Sequence, residues 1–429
     1  MNVHSKDASA SFPLSPGLAV RPAYVDLPAT GFEEPMDEVK RQVVELARRF
    51  ADEVLRPNGA ALDRLTPEEV IAPGSILWTT FERHRALGFG AEAFADIAPA
   101  DVADLKGMIY EELGRGDSGL TVSVAGASFA HDMAARWGRT DLMEAFPANK
   151  ISCWAITEPV AGTDMLDWDR HLAHPKGDYA RPSLIATLKG DKVVLNGQKS
   201  AWVSNGPIAE YGALYTTFDR GQGREGVTIY VPFDLPGVSR GKSLDKMGQR
   251  PLAQGELFFD NVEVPARFIA AGPDQYADSV YDILCEANAF MGACFVGVAR
   301  AAYEEALAYA HERKQGGVPI IQHQNVRYRL FHMMRKIEAA RALYRRVYRF
   351  NDLSGVRALQ ASIASKVTGT QTAFEVASDA LQIFGGNGMT RAYPMEKLLR
   401  DARASLIEDG CNEMLAIKGG SLLVDPERL

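Results

Sequence analysis

The feature that most constrains this chain is a change of hydrophobic period, made twice along its length. From Met36, the apolar residues Val39, Val43, Leu46, Phe50 and Val54 recur every three or four positions, which places them on one face of a helix. Pro57 is expected to stop that helix, because proline lacks the N–H and clashes with the preceding turn. Further helices are predicted over 76–87, ending at Gly88, and over 102–113 and 120–137. The stripe then gives way to short runs rich in Val, Ile, Tyr and Thr, at 152–157, 192–195, 213–217, 226–231 and 256–264. Turn residues such as Asn196-Gly197 separate them, the pattern of an antiparallel β domain, and Pro265 is expected to close it. The helical stripe returns in an Ala-rich run at 287–313, in Val326, Leu330, Met333, Ile337, Ala340, Leu343 and Val347, and at 358–384. A Gly-rich turn at 385–388 precedes a helix from about Pro394, and one more follows Gly410.

Helices, then strands, then helices imply an α+β multi-domain chain with segregated layers, not a βαβ fold. The 429 residues exceed one ordinary core. The expected division is an extended arm at 1–35, an N-terminal helical domain at 36–150, a middle antiparallel β domain at 151–268 and a C-terminal four-helix-bundle domain at 269–429. No GxGxxG follows a strand and opens a helix, and no GxxxxGK[ST] occurs, so neither a Rossmann domain nor a P-loop is supported.

A net charge of -8 argues against a broad nucleic-acid footprint, which is normally basic. No run of about 18 apolar residues is evident, so no membrane span is expected. The first 22 residues have neither an apolar core nor an Arg-rich amphipathic pattern, so no export or organellar signal is read there, and a cytoplasmic location is expected. Cys153, Cys285, Cys294 and Cys411 form no CxxC pair, and the eight histidines form no HExxH. A reducing compartment without disulfides or a metal site is the expectation.

Several short runs carry the functional reading. The first is 156–164, Ile-Thr-Glu-Pro-Val-Ala-Gly-Thr-Asp, and the second is 195–206, Leu-Asn-Gly-Gln-Lys-Ser-Ala-Trp-Val-Ser-Asn-Gly. Next come Lys246-Met247-Gly248-Gln249-Arg250 and the strand-like run 256–265. The helical part adds Glu312-Arg313-Lys314, His323-Gln324, Gln382-Ile383-Phe384-Gly385-Gly386-Asn387-Gly388, Arg400-Asp401-Ala402-Arg403 and Asp409-Gly410. Taken singly these have ordinary readings. Arg313 could be a solvated helix charge, Trp202 a core aromatic, 385–388 an inter-helix turn, and Asp409 a helix N-cap.

Together, in this order and nearly this spacing, the runs closely resemble the acyl-CoA dehydrogenase family, from about Met36 to the C-terminus. The resemblance implies FAD, an acyl-CoA substrate, electron-transfer flavoprotein as acceptor, and a homotetramer or homodimer. It implies that Thr157 and Ser204 hydrogen-bond the flavin ring and that Trp202 packs against it. Arg313, Gln324, Gln382 and Gly386 match positions that hold the diphosphate and adenosine end, in part across a subunit boundary. Arginine suits that task because its planar fork matches phosphate oxygens. Thr163, Asn288 and Gly410 match substrate positions, and Cys411 stands next to the cofactor.

The implied chemistry is α,β-dehydrogenation of a thioester: a carboxylate removes the α proton while the flavin takes the β hydrogen as hydride. Hydrogen bonds to the thioester carbonyl stabilise the enolate-like charge. The family's base position is held by Asp409, where most members have Glu. The shorter acid resembles nitroalkane oxidases and dehydrogenases of cyclic acyl-CoA substrates. A minority of the family carries its base on the first helix of the C-terminal domain. Ala287 stands there, and Glu286 beside it is a weaker alternative base or a solvated helix carboxylate. Asn288 replaces an Arg common near the substrate, and Cys411 replaces a Thr. An extra residue, Ser200 or Ala201, predicts a bulge before Trp202. The stretch 174–185 is longer than usual and reads as a surface loop. An oxidase or monooxygenase of the same fold, and a partner subunit of a heteromeric complex, remain alternative readings.

Overall fold

The computed structural model describes residues 32–33, 36–89, 94, 97–168, 182–221 and 224–424. Most of the arm expected at 1–35 and of the loop expected at 174–185 lies outside the described residues. Seven helices come first: α1 (Glu38–Phe50), α2 (Arg56–Leu62), α3 (Pro67–Ile71), α4 (Ile76–Arg85), α5 (Pro99–Gly116), α6 (Ser118–Arg136) and α7 (Thr140–Ala145). Asp37 caps α1 by accepting from the Lys40 N–H, and Val44, Ala47 and Phe50 form its buried face. Pro57 does not stop this helix, against expectation. A π-helical turn, Ala51–Leu55, widens the chain just before it, and the proline falls in the first turn of α2, where its missing N–H costs nothing.

The middle of the chain contributes β1 (Ser152–Ala155), β2 (Ile185–Lys189), β3 (Lys192–Ser204), β4 (Tyr211–Asp219), β5 (Arg224–Pro232), β6 (Val238–Arg240), β7 (Gln254–Pro265) and β8 (Ile269–Ala271). They form one sheet in the order β6-β7-β3-β2-β4-β5-β8, with β1 added to β4. The sheet is mostly but not wholly antiparallel, because both β1 and β2 pair with β4 in parallel. It also runs past Pro265, since β8 pairs with β5. The bulge expected before Trp202 is present: between Lys199 and Val203, β3 advances four residues while β7 advances two, from Leu257 to Gly255.

The C-terminal bundle is built from α8 (Tyr276–Glu312), α9 (Gln324–Leu353), α10 (Leu359–Phe384), α11 (Met395–Ser405) and α12 (Asn412–Ser421), with a two-strand hairpin, β9 (Lys314–Gln315) and β10 (Val318–Pro319), between α8 and α9. α8 is long and apolar enough to cross a membrane by length and composition, which corrects the expectation that no such stretch exists; 83% of that window is buried inside the protein, as befits a central core helix. Glycines let its neighbours approach. A Cβ on Gly297 would lie 2.1 Å from the Glu111 carbonyl of α5, and one on Gly369 of α10 would lie 2.5 Å from the Gly292 carbonyl of α8.

Where α5 crosses α8 and α9, the interface is ionic as well as apolar. Glu111 accepts from Arg300 Nη1 at 2.7 Å, from Arg341 Nη2 at 2.7 Å and from the Tyr344 hydroxyl. Glu112 accepts from Arg48, Arg115 and Arg300. Burial alone would raise the Glu111 carboxyl, but Arg341 and Arg300 outweigh it and hold it far below its usual range.

Candidate functional site

The site is assembled at the loop between α11 and α12. Asp409 has φ 51° and Gly410 φ 96°, so the chain turns through two left-handed residues in succession. The Asn412 N–H closes the turn on the Leu406 carbonyl at 3.0 Å. Glycine is required at 410 for space as well as for φ, because a Cβ there would lie 2.6 Å from Leu166. Asp409 is not the cap of α12. Cys411 holds the N-cap position and makes no side-chain cap bond.

Asp409 is half-buried, and burial pushes its carboxyl up to about 6, against the pull of Lys366. Lys366 rises from the buried face of α10 and donates to the Gly410 carbonyl at 2.8 Å and to Asn412 Oδ1 at 2.7 Å. Burial lowers its ammonium to about 8, with Asp409 as the main opposing influence. The neighbouring Glu408 is pushed up to about 7, first by burial and then by Asp409.

The β domain meets this loop through Thr163, whose Oγ1 accepts from the Cys411 N–H at 3.4 Å. Thr163 opens a short 3-10 turn, Thr163–Leu166, that packs under Gly410. Thr157 is tied to the bulge of β3, its carbonyl accepting from the Ser200 N–H at 3.0 Å. A fully enclosed ion pair pins that connection: Lys199 Nζ lies 2.7 Å from Glu158 Oε1. Beyond the bulge, Trp202 is 60% exposed, so it is not a core aromatic. Ser204 Oγ accepts from Gln254 Nε2 at 3.1 Å, which leaves its own proton to donate. Gln254 Oε1 accepts in turn from Lys246 Nζ at 2.7 Å. Thr157, Trp202 and Ser204 thus share one end of β3, and Thr163, Asp409, Gly410 and Cys411 share the loop.

Two expected residues stand apart from this grouping. Asn288 is fully buried; its Nδ2 donates to the Leu284 carbonyl on its own helix at 2.9 Å, and its Oδ1 has no partner among the described residues. As placed, it offers a substrate no exposed surface. Glu286 is neither a solvated carboxylate nor a suitable base. It pairs with Arg136 at 2.9 Å and with Arg357 at 3.5 Å. Burial raises its carboxyl, but Arg136, Lys106 and Arg357 outweigh that and hold it at about 2.

Arg313, Gln324, Gln382 and Gly386 gather at one end of the bundle. The ring of Tyr309 on α8 stacks on Phe384 of α10 at 4.0 Å, and its hydroxyl accepts from Asn387 Nδ2 at 2.8 Å. Arg313 lies one turn beyond Tyr309, and its carbonyl holds the Ile320 N–H just before α9. All four residues are exposed. Arg313 has no ion-pair partner among the described residues, and nothing lies within 4 Å of where a Cβ on Gly386 would be. An open guanidinium, two exposed amides and an uncovered glycine backbone suit a diphosphate, as the Ser204 donor and the exposed Trp202 face suit a flat heteroaromatic ring. Along α10 this end is about 24 Å from Lys366 and the Asp409 loop, at 1.5 Å rise per residue.

Sequence reasoning passed over Lys246, Glu408 and Lys366. The first lies in a run that carried the resemblance, the second is masked by its neighbour, and the third is a cation inside an apolar stripe, a pattern that itself signals a buried partner.

Known proteins resemble this chain over most of its length. The family model for the acyl-CoA dehydrogenase middle domain matches residues 153–262, and that for the C-terminal domain matches residues 285–419. The chain is 28% identical over 326 residues to cyclohex-1-ene-1-carbonyl-CoA dehydrogenase of Geobacter metallireducens, covering 74% of this chain and 82% of that one. It is 30% identical over 325 residues to the short-chain-specific acyl-CoA dehydrogenase of Megasphaera elsdenii, covering 74% and 81%. The solved structure of butyryl-CoA dehydrogenase from Megasphaera elsdenii superposes with a TM-score of 0.78 at 25% identity, over 92% of this chain and all of that one. Proteins of this kind are FAD flavoproteins and oxidoreductases. The chain belongs to the acyl-CoA dehydrogenase family.

Proposed function

We propose that this chain dehydrogenates an acyl-CoA thioester between its α and β carbons, with Asp409 accepting the α proton and an alicyclic or otherwise bulky acyl group as substrate. The observation that carries the reading is Asp409 itself: a half-buried carboxylate at the head of a strained left-handed loop, with its proton affinity raised to about 6. A base is most effective when its affinity lies near the working pH. Lys366 fixes the loop by its backbone and keeps an opposite charge nearby, so the ionised form survives burial. When bound, FAD supplies the two-electron acceptor for the β hydrogen.

The remaining residues bind and orient. Thr157 and Ser204 offer hydrogen bonds to the ring, Trp202 covers one face, and Thr163 and Gly410 border the thioester. Asp is one methylene shorter than Glu, which leaves room for a wider α carbon. A relative named cyclohexane-1-carbonyl-CoA dehydrogenase, 30% identical over 271 residues, supports that choice of substrate, because the ring carbon beside the thioester carbonyl carries the proton to be removed. Arg313, Gln324, Gln382 and Gly386 lie at the far end of α10 from the loop, and on this reading each chain completes its neighbour's site in a homo-oligomer. Exposed Tyr328 and Phe331 on α9 and Met389 beside the glycine turn provide apolar surface for such contacts. Electron-transfer flavoprotein is the proposed acceptor.

Two measurements test this. Arg313→Ala should lower FAD content per chain while leaving the fold intact, read by absorbance of released cofactor alongside circular dichroism; full occupancy would reduce Arg313 to a surface charge. Turnover of butyryl-CoA or cyclohexane-1-carbonyl-CoA should depend on added electron-transfer flavoprotein and consume little oxygen. Stoichiometric oxygen consumption would make the chain an oxidase instead.

A further inference from the structure

The Asp409 loop carries two carboxylates side by side. Glu408 is half-buried, and its carboxylate accepts from Gln249 Nε2. Gln249 cannot drift: it is 1% exposed, has φ 49°, and its backbone N–H donates to Asp401 on α11. Three residues earlier in the same segment, Lys246 donates Nζ to the Leu252 carbonyl and to Gln254 Oε1, both at 2.7 Å, and Gln254 passes its own N–H to Ser204. One connected framework therefore joins Glu408 to the strand end that bears Ser204 and Trp202. Around Glu408 stand Asp409 on its own loop, Lys366 from α10, Lys246 from the segment before β7 and Cys294 from α8. Asp401 and Arg250 face Lys246 in turn.

Neighbouring carboxylates do not ionise independently, because charge on one makes charge on the other more costly. We propose that Glu408 is a positioning residue for the proton-accepting end of the site: its charge, held by Gln249 and balanced by Lys246 and Lys366, sets how tightly Asp409 holds the proton taken from substrate. This rests on the reading of Asp409 as the base. The pair passes its first ionisation near 6 and its second near 7. The second charge makes Asp409 the stronger base, so the rate of substrate-driven reduction climbs in two steps with pH.

The test uses the full-length FAD-loaded protein and the thioesters named above. In Glu408→Gln the pH profile of anaerobic reduction should keep its lower step and lose its upper one. A second readout needs no substrate. An acid whose folded value is raised from 4.5 to about 7 loses stability as pH rises through that interval. The melting temperature of Glu408→Gln relative to wild type should therefore increase across it. Persistence of the upper step, or a melting difference that ignores pH, overturns the proposal. If Glu408→Gln does not fold, Lys246→Gln serves instead: it should move the upper step to higher pH, and an unmoved step overturns the proposal equally. Asp409→Asn separates this from the underlying reading. Wild-type reduction in that variant defeats the base assignment, whereas lost reduction there with two steps retained in Glu408→Gln defeats only the pairing.

Discussion

Asp409→Asn is expected to slow reduction of the bound cofactor by substrate by ~10²–10⁴-fold, the range for loss of a general base. The amide is nearly isosteric with the carboxylate but cannot take the α proton. Asn also tolerates the left-handed backbone conformation that Asp409 adopts, so the loop should keep its shape. No helix cap is lost, because Cys411 holds that position on α12. FAD content should be unchanged, since no diphosphate contact is touched. Stopped-flow absorbance checks the rate. A variant that reduces at the wild-type rate would remove Asp409 from the chemistry. Glu286 would not inherit the role, locked as it is between Arg136 and Arg357.

The second large effect lies far from the chemistry. Glu111→Gln should destabilise the protein by roughly 3–5 kcal/mol at neutral pH, the cost of breaking a buried charge cluster by removing one partner. Arg300 and Arg341 are each 2% exposed; Arg300 would keep Glu112 and Glu304, and Arg341 would keep Glu338, but both would lose the one carboxylate they share. The sign with pH follows from the depressed carboxyl. Its stabilising contribution is complete above the ordinary value of 4.5 and is lost as pH falls below that. The gap in thermal midpoint between wild type and Glu111→Gln should therefore be widest near neutrality and shrink below about pH 4.5. A gap that stays constant into acid would show that shape, not charge, holds α5 against α8 and α9.

Much of this architecture was legible from periodicity. The helical stripes of α1 and α9 came from side-chain spacing, and the runs that became β4, β5 and β7 from their Val, Ile, Tyr and Thr content between turn residues. What escaped were features set by distant partners. Pro57 reads as a stop locally, but a π turn absorbs it. β2 has no strong strand signal and exists because β3 and β4 flank it. The parallel pairing of β1 and β2 with β4 depends on where the chain returns, which no short window records. The site divides in the same way. Gly410 and Thr163 could be named from their motifs, whereas the ion pairs that disarm Glu286 and the enclosure of Asn288 appear only once α6, α8 and α10 are packed.

The central claim is that this chain takes electrons from an acyl-CoA thioester, and anaerobic mixing of the FAD-loaded protein with cyclohexane-1-carbonyl-CoA and with butyryl-CoA tests it most directly. The oxidised-flavin absorption band should bleach without oxygen or added acceptor, faster with the cyclic thioester, and the thioester should be recovered two hydrogens lighter. A band that stays intact with both thioesters in fully loaded protein would contradict the account.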